Sequence, residues 1–130
     1  MSYENLIGLT NAAEEFVTEK STALALGSGS LEVFATPAMI LLAEKASADL
    51  IEKNLPTELT SVGISLEIKH TSPTPVGMKV RVEVKIISAE GRKVIFEIAA
   101  FDERGEIGRG SHERFIVDKK KFQTKANAKL

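Results

Sequence analysis

Residues 33–46, VFATPAMILLAEKA, begin a long helix whose apolar surface needs a cover. Thr36 is a good N-cap and Pro37 suits the first helical turn, so the pattern predicts a helix from about Pro37 to Asn54. Pro56 ends it, because a proline disfavours helical backbone in the residue before it. A helix with so much apolar surface has to pack against a second layer.

After this helix the hydrophobic period changes from 3.6 residues to 2, which is typical of strands. Four segments alternate in this way: SVGISLEIKH (61–70), KVRVEVKII (79–87), KVIFEIAAF (93–101) and IGRGSHERFIV (107–117). Short turns between alternating strands indicate an antiparallel meander. A central helix wrapped by a curved antiparallel sheet is the hotdog fold, an α+β arrangement, and we predict it here.

The two ends of the chain carry weaker patterns. Residues 14–30, EEFVTEKSTALALGSGS, are interpreted as a strand near 16–26 followed by a Gly/Ser loop at 27–30. The basic tail is expected to fray from about 119 to 130. These features predict a single hotdog domain over residues 1–130.

The composition excludes several classes of function. The chain has 17 basic and 18 acidic residues, a net charge of −1, and no cysteine. Disulfides and thiolate chemistry are therefore excluded, and the charge balance gives no reason to expect a nucleic-acid partner. The N-terminus lacks a signal-peptide pattern and no apolar stretch is long enough to span a bilayer, so we expect a cytoplasmic protein without a membrane partner.

Two chemically active side chains are expected on the inner face of the fold. Glu44 falls in the apolar arc of the helix, where a carboxylate needs a partner or a proton. His70 continues the inward parity predicted for Val62, Ile64, Leu66 and Ile68, and it ends its strand beside a turn-rich loop. The plain alternatives are a structural acid and a satisfied core histidine. Together, however, an inward acid and an inward histidine suggest an acid/base pair.

Three further residues have both a structural and a functional interpretation. Thr36 is explained as an N-cap, yet the first turn of a helix also presents free N–H groups that stabilise an acyl carbonyl or oxyanion. Gly63 interrupts a strand and marks either a bulge, which is favoured, or a close approach by a ligand. His112 has the parity opposite to Phe115 and is interpreted as structural or interfacial.

The quoted helix start, together with TSVGISLEIKHTSPTPVGMKVRVEVKI (60–86), EGRKVIFEIAAFDERGEIGRGSHERFIV (90–117) and the trailing KF (121–122), resembles the fluoroacetyl-CoA thioesterase-like family of the hotdog superfamily. This resemblance implies an enzyme that hydrolyses short acyl-CoA thioesters without a metal or organic cofactor. It also implies a homodimer, with a tetramer left open. The family's catalytic threonine, glutamate and histidine fall on Thr36, Glu44 and His70, and its substrate-binding glycine falls on Gly63.

One position departs from the family pattern. Fluoroacetyl-specific members carry an aromatic lid residue shortly before the AT pair, and Ser30 stands there in this chain. The resemblance therefore implies a general short-chain acyl-CoA thioesterase. Two other functions stay open at this point, namely an acyl-CoA-binding module without hydrolysis and a hotdog enoyl-CoA hydratase or dehydratase.

Overall fold

The structure, a computed structural model, describes residues 2–130. Five strands form one antiparallel sheet in the order β1-β3-β4-β5-β2. The strands are β1 (Thr10–Phe16), β2 (Leu59–His70), β3 (Lys79–Glu90), β4 (Lys93–Asp102) and β5 (Gly105–Asp118). The helices are α1 (Ala23–Leu26), α2 (Thr36–Glu52) and α3 (Lys119–Asn127), and two 3-10 turns cover Glu4–Leu6 and Glu19–Ser21.

Helix α2 packs on one face of the curved sheet and forms the core with it. Its buried side is a stripe at helical spacing, made of Ala38, Met39, Leu42, Ala43, Ala46, Ser47, Leu50 and Ile51. The inward side chains of the sheet, among them Val82, Phe96 and Ile98, complete this core. Among residues 2–130, no helix has both the length and the apolar character needed to cross a bilayer. The predicted helix and the predicted antiparallel strands are thus both present.

The segment before α2 differs from the prediction. The strand expected near 16–26 is wrong, because β1 ends at Phe16 and residues 23–26 form α1. The Thr22 hydroxyl accepts a hydrogen bond from the Ala25 N–H at 3.1 Å and so caps this helical turn. Gly27 ends the turn with a φ of 77°, a conformation that glycine adopts without strain.

The basic tail also differs from the expectation of fraying. Residues 119–127 form α3, which begins where the Asp118 side chain accepts a hydrogen bond from the Lys121 N–H at 2.9 Å. The Lys119 N–H donates to the Glu58 carbonyl at 3.0 Å and fixes the start of the helix beside β2. The cap and this anchor, rather than an apolar face, account for the helix.

Strand β2 combines an edge position with a bulge. Within the described chain it pairs with β5 alone, and the register shifts between Gly63 and Ser65, so Ile64 is the extra residue. The predicted bulge is confirmed. Because a bulge reverses the parity of a strand, Gly63 faces α2 before it and His70 faces α2 after it. Ile64 is 51% exposed, so the predicted inward alternation through Ile64 is wrong.

Candidate active site

Thr36 is the first residue of α2 and not its cap. Ala35 holds the N-cap position, and no side chain of residues 2–130 caps this helix. The Thr36 hydroxyl oxygen lies 2.8 Å from the His70 Nδ1 instead, at hydrogen-bond distance. The prediction of an N-cap role for Thr36 is therefore wrong. Its hydroxyl is paired with an imidazole at the helix end where N–H groups are free and the dipole is positive.

His70 points inward from the end of β2, as its parity predicts. Its ring packs edge-on against Phe34 at 6.4 Å between centroids. Its Nε2 is buried and has no hydrogen-bond partner within the described residues. Burial lowers the pKa of His70, and the backbone of Ser72 opposes this shift only in part. His70 is therefore a neutral imidazole at neutral pH with one unpaired nitrogen.

A cavity opens beside this pair. Its volume is about 340 Å³, and Thr36 and His70 line it together with Ala23, Ser28, Val33, Phe34, Thr71, Ser72 and Pro73. Apolar, hydroxyl and imidazole groups thus meet at the N-terminus of α2. Such a mixture suits a small ligand that carries one reactive polar group.

Glu44 belongs to a second cluster, with Gly63, His112 and Arg114. Its Oε2 accepts a hydrogen bond from Arg114 Nη1 at 3.1 Å and lies 3.9 Å from His112 Nε2. The Glu44 side chain is 41% exposed, so the carboxylate sits at the wet edge of α2 and not on its dry side. Its other oxygen, Oε1, has no hydrogen-bond partner in the part of the chain that the structure describes.

Gly63 permits the close approach of this carboxylate to β2. A Cβ at Gly63 would collide with Glu44 Oε2 and would lie 3.3 Å from both Arg114 Nη1 and His112 Cε1. Any larger residue would therefore displace the carboxylate. Gly63 thus lies at the predicted bulge, and the group that approaches it closely is the Glu44 side chain, whereas the approach of a ligand stays a prediction.

Arg114 is the member of this cluster that the sequence analysis missed. Its side chain is 8% exposed, its Nε–H donates to Ser61 Oγ at 2.8 Å, and its Nη2 donates to the Ser61 carbonyl at 3.1 Å. A signal existed in β5, where Arg114 alternates with Phe115 and shares the parity of the apolar Ile116. An arginine with core parity predicts an inward acid as its partner.

His112 is buried on the same inward face as Arg114 and Ile116. The opposite parity of His112 and Phe115 was predicted, but Phe115 is the residue that faces outward. The interpretation of His112 as structural or interfacial therefore did not include its contact with the Glu44 cluster.

Within the chain the two clusters do not meet. Thr36 and Glu44 are two turns apart on α2, which corresponds to about 12 Å of helix rise. His70 lies at the end of β2, and Gly63 lies near its middle, beyond the bulge. The structure thus brings Thr36 to His70 and Glu44 to Gly63, and it leaves the pairs apart.

The burial of both histidines leads us to expect that the protein loses stability in mild acid. Burial lowers the pKa of His70 and of His112 from the unfolded value near 6.5. The unfolded chain therefore binds more protons than the folded chain as pH falls through 6.5, and the free energy of unfolding decreases from pH 7.5 to pH 5.5. Thermal melts across this window are expected to show a falling Tm.

The control for this prediction is the double variant His70→Gln/His112→Gln, whose Tm is expected to change less over the same window. The window ends at pH 5.5 because carboxylates titrate mainly below it. Glu15, whose pKa burial raises, acts in the opposite direction. A wild-type Tm that stays constant or rises toward pH 5.5 would contradict the prediction.

Comparison with known proteins identifies the family. The model of the fluoroacetyl-CoA-specific thioesterase family, FlK, matches residues 17–120. The fluoroacetyl-CoA thioesterase of Streptantibioticus cattleyicolor is 37% identical over 98 residues, which cover 75% of this chain and 70% of the relative. A solved structure of the fluoroacetyl-CoA thioesterase FlK has a TM-score of 0.88 at 31% identity, and the match covers 95% of this chain and 96% of that one.

Two other solved structures extend the comparison. A thioesterase superfamily member from Thermus thermophilus matches with a TM-score of 0.87 at 28% identity, over 94% of this chain and 90% of that one. A hot-dog-like protein from Thermanaerovibrio acidaminovorans, at 21% identity, supports the fold alone, with a TM-score of 0.92 over 100% and 98% of the two chains. The predicted hotdog fold is confirmed. The chain belongs to the FlK family of the hotdog thioesterase superfamily, and the prediction of an acyl-CoA thioester hydrolase is confirmed.

Proposed function

We propose that this enzyme hydrolyses short acyl-CoA thioesters to the free acid and CoA, with Thr36, Glu44 and His70 as its catalytic residues. One observation carries the proposal. The Thr36 hydroxyl and the His70 ring form a 2.8 Å pair at the N-terminus of α2, and the buried Nε2 of His70 has no partner among the described residues. A buried polar atom without a partner costs free energy, so its retention is explained by a ligand or substrate that bonds to it.

The proposed site is completed by a second copy of the chain. β2 is a twelve-residue edge strand, and an unpaired edge is a template for another strand. Antiparallel pairing of β2 with its copy, centred on Glu67 and with Ile64 left out as the bulged residue, would place Gly63 opposite the partner's His70. The same two-fold axis, passing near Ile40, would bring Thr36 to the partner's Glu44.

Exposed apolar side chains along these elements support the homodimer. Leu41 on α2 is 68% exposed and Ile64 on β2 is 51% exposed. Burial of such side chains is worth about 1.5–3 kcal/mol each relative to leaving them in water. The proposed dimer thus covers apolar surface and supplies each site with both clusters.

In this site the thioester oxygen would lie against the free N–H groups of α2, with the Thr36 hydroxyl orienting the substrate. On one route Glu44 takes a proton from water while the water oxygen bonds to the carbonyl carbon. On the other route the Glu44 carboxylate itself bonds to that carbon and forms an anhydride, which water then cleaves. On both routes the C–S bond breaks and its electron pair goes to sulfur. The sulfur takes up a proton that comes from the reacting water, and the neutral His70 ring accepts this proton and passes it on. The chemistry uses side chains and water.

A preference for fluoroacetyl-CoA, which the relatives' names suggest, is not part of the proposal. Ser30 is exposed in the Gly/Ser loop and offers no aromatic side chain to the cavity. We therefore propose a general short-chain enzyme that treats acetyl and propionyl esters as well as fluoroacetyl esters.

Thiol release from acetyl-, propionyl-, butyryl- and aromatic acyl-CoA tests the function, with enoyl-CoA hydration followed in parallel. Short esters are expected to release thiol, and Thr36→Ala and His70→Ala are each expected to lower kcat/KM by about 10²–10³-fold. Thr60→Ala is the matched control, because the Thr60 hydroxyl bonds to Glu52 on the exposed surface. Tight binding without thiol release, or hydration in its place, would contradict the proposal.

A further inference from the structure

We infer that His112 is a positioning residue for the reaction. Its unprotonated Nε2 holds the Arg114 guanidinium, and Arg114 in turn holds the Glu44 carboxylate in its reactive orientation. The inference rests on the proposed function, in which Glu44 reacts with water or substrate. It concerns a residue that touches neither of them and acts through Arg114.

The contacts of His112 fix its tautomer. Nδ1 lies 2.7 Å from the Ser65 carbonyl oxygen, and a carbonyl only accepts, so Nδ1 carries the proton. In the neutral ring Nε2 is then a bare acceptor. The ring is 1% exposed and lies against Phe96 at 5.8 Å between centroids, which keeps it from turning over.

Arg114 uses this acceptor. Its Nη1 lies 3.3 Å from His112 Nε2 and 3.1 Å from Glu44 Oε2, so the two N–H bonds of one nitrogen serve both neighbours. The other side of the guanidinium is anchored on Ser61 at 2.8 and 3.1 Å. Because the guanidinium is a rigid plane, fixing it on Ser61 and His112 also fixes the direction from which it meets the carboxylate.

Protonation of His112 would break this arrangement, since an N–H would then face an N–H of Arg114. Burial lowers the pKa of His112, and the Arg114 charge acts in the same direction, whereas the Ser65 carbonyl, Glu44 and Glu113 oppose it. Phe96, which packs on the ring from β4, brings no charge. The neutral ring is therefore the state in which the cluster is complete.

Substitution separates a positioning role from a structural one. His112→Leu removes the acceptor, and we expect kcat for thiol release to fall about 10–100-fold with KM changed less than about threefold. His112→Gln offers both an amide donor and a carbonyl acceptor, and we expect it to restore kcat to within about threefold of wild type. Asn54→Ala is the control, because it removes a part-buried hydrogen bond at the C-terminal end of α2, 2.8 Å from Asn54 Nδ2 to the Leu50 carbonyl, ten positions after Glu44. We expect it to lower Tm and to leave kcat unchanged.

Nitrogen-15 NMR of the histidine rings tests the geometry without activity. The expected spectrum at pH 7.5 shows His112 protonated at Nδ1 and bare at Nε2, with an Nε2 shift that moves in Arg114→Gln. The opposite tautomer would overturn the inference, and so would a folded His112→Leu enzyme with wild-type kcat. If His112→Leu does not fold, the spectrum and the kcat of His112→Gln decide. If wild type releases no thiol, the proposed function fails, and the spectrum still decides whether His112 holds Arg114.

Discussion

Glu44→Gln is expected to lower kcat for acyl-CoA hydrolysis by about 10³-fold, because an amide neither takes a proton from water nor attacks a carbonyl. The amide is nearly the same size as the carboxylate, and its oxygen still accepts from Arg114, so the fold is expected to stay intact. Steady-state thiol release and a thermal melt measure the two effects.

Glu52→Gln is the matched control for this variant. Glu52 lies on the same helix and is exposed, where its carboxylate accepts from Thr60 at 2.7 Å and pairs with Lys119 at 3.2 Å. We expect Glu52→Gln to retain wild-type kcat. Undiminished hydrolysis of several acyl-CoAs by Glu44→Gln would exclude both proposed roles of this carboxylate.

A single turnover in oxygen-18 water separates the two roles. If the carboxylate attacks the thioester, water can cleave the anhydride at the Glu44 carbonyl, and label then enters the protein. If Glu44 only takes a proton from water, the label goes to the released acid alone. Oε1 is the oxygen left free for either role, since Oε2 is held by Arg114.

Most of the fold could be predicted from the hydrophobic periodicity, and the predictions that were wrong have local causes. The helix and the antiparallel strands were predicted because apolar side chains repeat at 3.6 and 2 residues wherever one face is buried. The strand predicted near 16–26 is wrong because one hydrogen bond, from the Ala25 N–H to the Thr22 hydroxyl, favours a helical turn over an extended segment. Such a cap competes with the apolar pattern, and the pattern does not reveal it.

The candidate residues of the site were easier to name from the sequence than their arrangement in space. Thr36 and His70 contact each other, whereas Glu44 lies with Gly63, and the two-turn spacing on α2 could have indicated that separation. Arg114 was missed because its neighbour across the cluster depends on the register of β5 with β2, which a bulge shifts. Register and parity past a bulge are tertiary properties, and local sequence does not set them.

Two inactive variants are expected to restore activity when they are mixed. If each site combines Thr36 and His70 of one protomer with the partner's Glu44, a hybrid of Thr36→Ala and Glu44→Gln chains has one intact site and one doubly damaged site. Random exchange makes half of the dimers hybrid, so activity is expected to return to about one quarter of wild type. Thiol release after co-refolding or co-expression measures it, with light scattering to establish the dimer.

A second pair of variants shows whether such recovery comes from shared sites. Glu44→Gln and Gly63→Val both damage the Glu44 cluster, because a side chain at Gly63 displaces the carboxylate. Their hybrid has one damaged cluster in each site, so this pair is expected to stay inactive. Recovery by both pairs would point to general stabilisation on mixing, and recovery by neither, with hybrid dimers present, would place all the catalytic groups of a site in one chain. Recovery by the first pair alone requires that the two-turn gap between Thr36 and Glu44 be closed across the subunit boundary.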